Sequence, residues 1–346
     1  MTPPAPYGAV VGMAPQSPAA RSAGYHDVAA TLQSGQRFLL TGHRSPDGDT
    51  LGSALALAHA LEAAGKEARV VMRDRWGTAY ACLPGIERVE VRESLPEDWP
   101  EGWSAILVME CPSAARTGFP ELGRGRVVNI DHHLGNERYG AVNLLELDAA
   151  ATGEMVADLL DLLEWPITPE IATNLWVALV TDTGSFRFSN TTAKALALGA
   201  RLVAAGARPG EVNDAIFESR PPAAVRTEGL VLGTLELHAG GRVATLEAPR
   251  SLLEATSAQS SDLEGLVNRA RGIDGVRAAA FLTEANGVIR CSFRSKGSVD
   301  VRSVAAAHGG GGHRNAAGCD IAGGLGEVKA LLVRELAGAV DSEAHV

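Results

Sequence analysis

The sequence predicts an α/β protein of two domains. A mostly parallel sheet with helices on both faces would be joined by a hinge linker to a smaller α/β C-terminal domain. Three observations lead there. The chain has 346 residues, more than a single domain usually takes. Short apolar runs bounded by turn residues alternate with stretches of helical period, the pattern of parallel strands joined by crossover helices. That alternation breaks where Pro209-Gly210 and Pro221-Pro222 fall close together.

Residues 1–24 carry five prolines and little period, and read as a disordered tail. A helix follows at 25–35. Residues 37–41 (Arg-Phe-Leu-Leu-Thr) form a short buried strand, and 50–64 a helix that Gly65 ends. Further buried strands are predicted at 68–72, 105–109 and 126–130, and helices at 152–163, 169–180 and 193–205. The first domain is thus placed at 25–205, the linker at 206–228 and the second domain at 229–342. In the latter, strands are expected at 242–246, 276–282 and 287–293, and helices at 262–271, 302–307 and 327–337, with four glycines after Ala307 and His308. No internal repeat is visible.

Composition narrows the function. Hydrophobic residues make up 46%, enough for ordinary cores. The net charge of −10 argues against a protein that grips long nucleic acid over a broad basic surface, so a short partner is expected. Cys82, Cys111, Cys291 and Cys319 include no Cys-x-x-Cys pair, which speaks against a zinc ribbon and for reduced thiols in the cytoplasm. No apolar run approaches the roughly 18 residues of a membrane span, and the N-terminus lacks the pattern of a signal peptide.

The chemistry gathers at strand ends. His43-Arg44-Ser45-Pro46-Asp47-Gly48-Asp49 follows the first strand, where open α/β sheets collect ligands. Glu110 closes another strand, Asp131-His132-His133 a third, and Asp182-Thr183-Gly184 ends a helix. Singly, an acid at such a place caps a helix or is simply solvated. Together, His43, Asp47, Asp49, Glu110, His132 and Asp182 offer two imidazoles and four carboxylates. That set suits two divalent cations, which at about 3.5–4 Å apart can lower the pKa of a water and clamp a phosphate. In the C-terminal half, Gly309-Gly310-Gly311-Gly312-His313 would let backbone N–H groups approach an anion.

These residues resemble the DHH phosphoesterase superfamily, from about Tyr25 to Ala337. His-x-x-Pro-Asp-Gly-Asp-x-x-Gly-Ser stands at 43–53, the Asp-His-His triplet at Asp131-His132-His133, and the Asp-Thr-Gly motif at Asp182. By this resemblance His43 and Asp47 match ligands of one cation, and Asp49, His132 and Asp182 those of the other. The bridging position matches Glu110, where the family usually carries aspartate. One methylene longer, glutamate either bridges or serves one cation and alters the metal preference. His133 matches a phosphate-facing or proton-handling group and Asp131 one that orients an imidazole. Arg116 resembles a substrate-binding arginine of the subfamily that degrades very short RNA. The glycine run with His313, and Arg294 upstream, resemble the DHH-associated C-terminal domain, so Arg294, Gly310, Gly311, Gly312 and His313 would bind substrate.

The resemblance implies two divalent cations, manganese best suited to mixed His and carboxylate ligation and magnesium or cobalt as alternatives. It implies hydrolysis of short oligoribonucleotides to mononucleotides and dephosphorylation of 3′-phosphoadenosine-5′-phosphate (pAp), with the linker hinging the domains together over substrate. A phosphodiesterase for pApA or cyclic-di-AMP is the alternative, and a non-catalytic nucleotide-binding protein a third reading. The expected partners are short RNA or a small nucleotide phosphate, no membrane, and a second copy in a homodimer.

Overall fold

The computed structural model describes residues 18–256, 263, 265–285 and 287–343. The chain divides into two compact units, one ending at Ala215 and one beginning at Ile216.

The first unit contains helices α1 (Pro18–Ser34), α2 (Gly48–Ala63), α3 (Ala114–Thr117), α4 (Thr152–Leu162), α5 (Pro169–Asp182), α6 (Ala193–Ala204) and most of α7 (Pro209–Phe217). Its strands are β1 (Arg37–Thr41), β2 (Glu67–Met72), β3 (Glu90–Val91), β4 (Ala105–Met109), β5 (Val127–Asp131) and β6 (Val142–Leu145). They form one sheet in the order β3-β2-β1-β4-β5-β6, parallel throughout. The chain builds outward from β1 to β3, then returns to the other side of β1 with β4. The reversal leaves a crevice beyond the carboxyl ends of β1 and β4, where ligands settle in such sheets. All five residues of β4 and of β5 are buried, as a strand covered on both faces requires.

Helix α2 is buried without a break from Gly48 to Ala58. Its packing on α4 and α5 depends on small residues. A Cβ at Gly52 would lie 2.4 Å from the Asn174 carbonyl oxygen, and one at Gly153 would lie 2.6 Å from Ala178 Cβ.

The second unit holds α8 (Pro222–Leu232), β7 (Glu236–His238), β8 (Val243–Ala248), α9 (Arg250–Thr256), α10 (Val267–Arg271), β9 (Ala278–Ala285), β10 (Val288–Ser295), α11 (Val301–Ala307), β11 (Gly311–His313), β12 (Ala316–Ala322) and α12 (Leu325–Glu343). Its sheet runs β11-β12-β10-β9-β8-β7, with only β8 and β9 parallel. Alternate residues of β9 face opposite cores: Ala278, Ala280 and Leu282 meet α11 and α12, while Ala279 and Phe281 meet α8 and α10.

The fold class is the one expected; three local readings change. Helix α1 begins at Pro18, inside the stretch read as tail, while residues 1–17 lie outside the described residues. The stretch read as a linker, 206–228, is largely helical. Its prolines open α7 and α8, where a missing N–H costs nothing, and Ala224, Thr227 and Val231 bury one side of α8. Half of the glycine run is a strand. Gly311, Gly312 and His313 pair with Gly318, Ala317 and Ala316. A Cβ at Gly310 would stand 2.1 Å from the Gly318 carbonyl oxygen. Gly312, at φ +132, would place one 2.4 Å from that of Ala316. Close strand approach therefore requires glycine at both.

Candidate metal centre

The first unit brings His43, Asp47, Asp49, Glu110, His132 and Asp182 to the crevice in two groups of three. His43, Asp47 and Glu110 place one donor atom each within 4.8 Å of the others, as do Asp49, His132 and Asp182. Helix α2 begins between them. Asp47 is its N-cap, accepting from the Thr50 amide at 3.0 Å, and Asp49 lies in its first turn. Glu110 leaves β4 in the left-handed region at φ +53, a conformation costly for a residue with a side chain. The Thr50 hydroxyl donates to its Oε2 at 2.6 Å.

Both imidazoles are set the same way. His43 Nδ1 donates to its neighbour's carbonyl, Arg44 O, at 2.6 Å, and His132 Nδ1 to Ala149 O at 3.0 Å. A carbonyl can only accept, so each Nδ1 carries a proton, and in the neutral ring that leaves the lone pair on Nε2. His43 Nε2 lies 3.9 Å from Asp47 Oδ2 and 3.6 Å from Glu110 Oε2; His132 Nε2 lies 3.8 Å from Asp49 Oδ2 and 3.6 Å from Asp182 Oδ2. These gaps are too long for hydrogen bonds and short enough for donors around one cation. Oriented imidazole lone pairs facing carboxylates are a donor set that fits divalent metal.

Asp49 is fully buried. It accepts from the Thr152 and Gly153 amides at the start of α4, at 2.7 and 2.9 Å, and from the Ser53 hydroxyl at 2.9 Å. Burial raises its pKa against the pull of His132, and Asp47 adds to the rise. Glu110 is raised well above an ordinary glutamate, first by burial and then by Asp47, Asp49 and Asp182. It therefore stands with the first group while feeling the charge of the second. Mutual repulsion of this kind is what a bound cation relieves.

Comparison with known proteins follows the same division. Residues 37–179 match the model of the DHH family, N-terminal domain, and residues 244–340 that of the DHHA1 domain. The bifunctional oligoribonuclease and PAP phosphatase NrnA of Thermus thermophilus is 36% identical over 281 residues, which cover 81% of this chain and 83% of that one. The chain belongs to the DHH family. The NrnA of Bacillus subtilis is 27% identical over 290 residues, 82% of this chain and 89% of that one. The crystal structure of an exopolyphosphatase-related protein from Bacteroides fragilis shares the fold, with a TM-score of 0.82 over 91% of this chain and 95% of that one at 23% identity.

The DHH triplet itself, Asp131-His132-His133, ends β5 with two differently supported imidazoles. Asp131 holds His133, not His132: its Oδ1 accepts from His133 Nδ1 at 2.8 Å. Behind it a buried chain continues. Asn136 Nδ2 donates to Asp131 Oδ2 at 2.6 Å and to Asn129 Oδ1 at 2.7 Å, and Asn129 Nδ2 reaches Tyr139 Oη at 3.0 Å. Burial would raise Asp131, yet the bonds from His133 and Asn136 hold it down at about 2. His133 is lowered, chiefly by burial, with His132 and Arg116 adding to it against Asp131. The result is a neutral imidazole with its lone pair on Nε2, able to accept a proton. Asn129, Asn136 and Tyr139 carry no motif, and nothing in the sequence singled them out. Asp131→Asn is expected to keep the fold and lower turnover by about 10–100-fold; a rate within twofold of wild type would show that His133 needs no such support.

Arg116 is an exposed residue of α3, its charge bearing on His133 and Cys111. In the DHHA1 unit, Arg294 and His313 both pair in register with Ala316, from the two strands that flank β12. Cross-strand partners share a face, so the two basic side chains flank one alanine in a row. Gly310 leads into that row at the sheet edge, followed by Gly311 and Gly312.

Proposed function

We infer that this DHH protein is a divalent-metal-dependent phosphoesterase that cleaves very short oligoribonucleotides to mononucleotides and removes the 3′-phosphate of pAp, leaving AMP. The observation that carries this reading is the pair of acid-and-imidazole groups at the switch point of the sheet, in a chain 36% identical to an oligoribonuclease and PAP phosphatase.

In this reading His43 and Asp47 hold one cation, Asp49, His132 and Asp182 the other, and Glu110 lies between them. Manganese suits the mixed nitrogen and oxygen donors best, ahead of magnesium or cobalt. Bound cations supply a nucleophile, by lowering the pKa of a coordinated water, and offset charge on the phosphate. The chain's own groups do the rest. The Arg44 and Ala149 carbonyls fix the tautomers of His43 and His132. Asp131 aims His133, which handles a proton at Nε2. Arg116 binds a substrate phosphate. Arg294, His313 and the N–H groups of Gly310, Gly311 and Gly312 bind nucleotide on the DHHA1 unit. The domain assignment, catalytic at 25–205 and substrate-binding at 229–342, accords with the two matched models. No helix of the described residues is long and apolar enough to cross a membrane. The four free cysteines support a cytoplasmic site of action.

The test is a 5′-labelled RNA ladder, from two to about twenty-four nucleotides, incubated with manganese beside pAp. Rapid loss of the shortest strands and release of phosphate from pAp are expected. Intact dinucleotides and intact pAp together would sink the reading. Preferential turnover of pApA over other dinucleotides would move it to the dinucleotide phosphodiesterase.

A further inference from the structure

Among the described residues, three arginines stand near the carboxyl edge of the DHH sheet without a carboxylate partner. Arg44 follows His43 in the turn after β1, Arg73 follows the last residue of β2, and Arg116 lies in α3. Several other arginines of this unit do have such partners: Arg37 with Glu67, Arg69 with Glu90, Arg88 with Glu62. Among the described residues the three make no ion pair.

The backbone holds these arginines near one another. Arg44 N–H donates to Arg116 O at 2.8 Å, pinning the turn that bears His43 and Asp47 to α3. Ser45, at φ +52, donates its N–H to Asp74 Oδ2 at 3.0 Å, pinning the same turn to the end of β2. The side chains of Arg44 and Arg73 then converge on Gly118, the left-handed cap of α3. A Cβ there would lie 2.5 Å from Arg44 Nε and 2.9 Å from Arg73 Cγ. Asp74 is the acid among them, and one of its oxygens is taken by the Ser45 amide. Arg44 is exposed and Arg73 half-buried, so both are open to solvent. With a single acid between them, the arginine side chains leave an excess of positive charge that an arriving anion offsets, and their forked donors match phosphate oxygens.

We propose that Arg44 and Arg73, together with Arg116, form a second phosphate site beside the metal centre, one that takes the phosphodiester next to the scissile one in a short RNA. The site rests on the phosphoesterase reading and extends it. A chain of net charge −10 lacks a general attraction for RNA, so a local cluster has to provide it. One flanking phosphate suits substrates of a few nucleotides.

The probe is a 5′-phosphorylated triribonucleotide with phosphorothioate linkages, which keeps its charges and resists hydrolysis. Its binding to the full chain is measured by calorimetry, with manganese present, at several salt concentrations. The double variant Arg44→Ala/Arg73→Ala is expected to bind it about 10–100-fold more weakly. The slope of log K against log salt should flatten by about 0.7 for each phosphate no longer neutralised. Arg44→Lys/Arg73→Lys should restore the slope, which a purely structural role would not require. 3′-AMP, with a single phosphate, should lose far less affinity than the trinucleotide. Unchanged affinity and slope in the alanine pair would overturn the site, as would an equal loss for trinucleotide and 3′-AMP. Binding needs no turnover, so this outcome is independent of the ladder experiment and the two readings fail separately.

Discussion

Asp182→Ala is expected to lower kcat/KM on short RNA by about 10³-fold or more, with little change in folding. Removing a group that merely orients a metal ligand costs about 10–100-fold, and removing a ligand should cost more. Asp182 is the cleanest of the acids to remove. It ends α5 with 22% of its side chain exposed, so no buried cavity is left behind. Asp49 would confuse the outcome, because its carboxylate also ties the first turn of α4 to α2 through two amides. Losing Asp182 also removes the largest of the three carboxylate influences that hold the His132 pKa up against burial. The measurement is steady-state turnover with saturating manganese, paired with a thermal melt. A variant that melts normally and keeps more than a tenth of wild-type activity would remove Asp182 from the metal site.

Stripping divalent cations should abolish turnover and lower the melting temperature, by an amount that grows with pH. At a cation concentration near 100 times Kd, binding adds about 2.7 kcal/mol. For a unit of this size that is roughly 5–10 °C. The pH dependence follows from Glu110. Burial and the neighbouring Asp47, Asp49 and Asp182 hold it well above 4.5 in the folded protein. Between 4.5 and that raised value the folded state binds a proton that the unfolded chain has released. Cation-free protein therefore loses stability as pH rises through the window. Asp49, raised from 3.8, acts in the same direction. Asp131, held at about 2, acts oppositely, but its contribution is lost only on acidification below 3.8. A cation replaces the proton and removes the penalty. Melts with and without chelator from pH 5 to 8 should show a widening gap, and a gap independent of pH would argue that the four carboxylates do not share one field.

Much of this centre was legible because its residue types are unusual where they stand. A histidine or an acid just past a run such as Phe38 to Thr41, or Val127 to Ile130, is not needed for packing the run. Strand ends converge in a parallel sheet, so residues far apart in sequence could be placed together. The support behind them was not legible. Asn129 lies within a strand and Asn136 in a turn, each ordinary there, and only the fold brings both to Asp131. Likewise Asp49 reads as a helix cap, and nothing near it announces amides 103 and 104 residues away.

The fold shows the same contrast. Buried strands declared themselves by apolar runs, whereas edge strands did not. β3 has two residues, and β6, Val142-Asn143-Leu144-Leu145, is short, interrupted by an asparagine and only half buried. β11 and β12 pair largely through glycine and alanine, where backbone approach replaces side-chain pattern. The prolines of 206–228 were read as breakers, though at the first turn of a helix the same residue is an initiator.

Gly52 touches none of the proposed metal ligands, yet it bears on their spacing. Asp47 and Asp49 ride on the start of α2, and Asp182 rides on the end of α5. Those helices meet where Gly52 lies against the Asn174 carbonyl. In instrument terms they are the jaws of a gauge, and a hydrogen atom in place of a side chain sets its opening. Any larger residue at 52 would widen the gap between acids on opposite jaws, so the size of ion the proposed site would tolerate is set deep inside the protein, about one helical turn beyond Asp49.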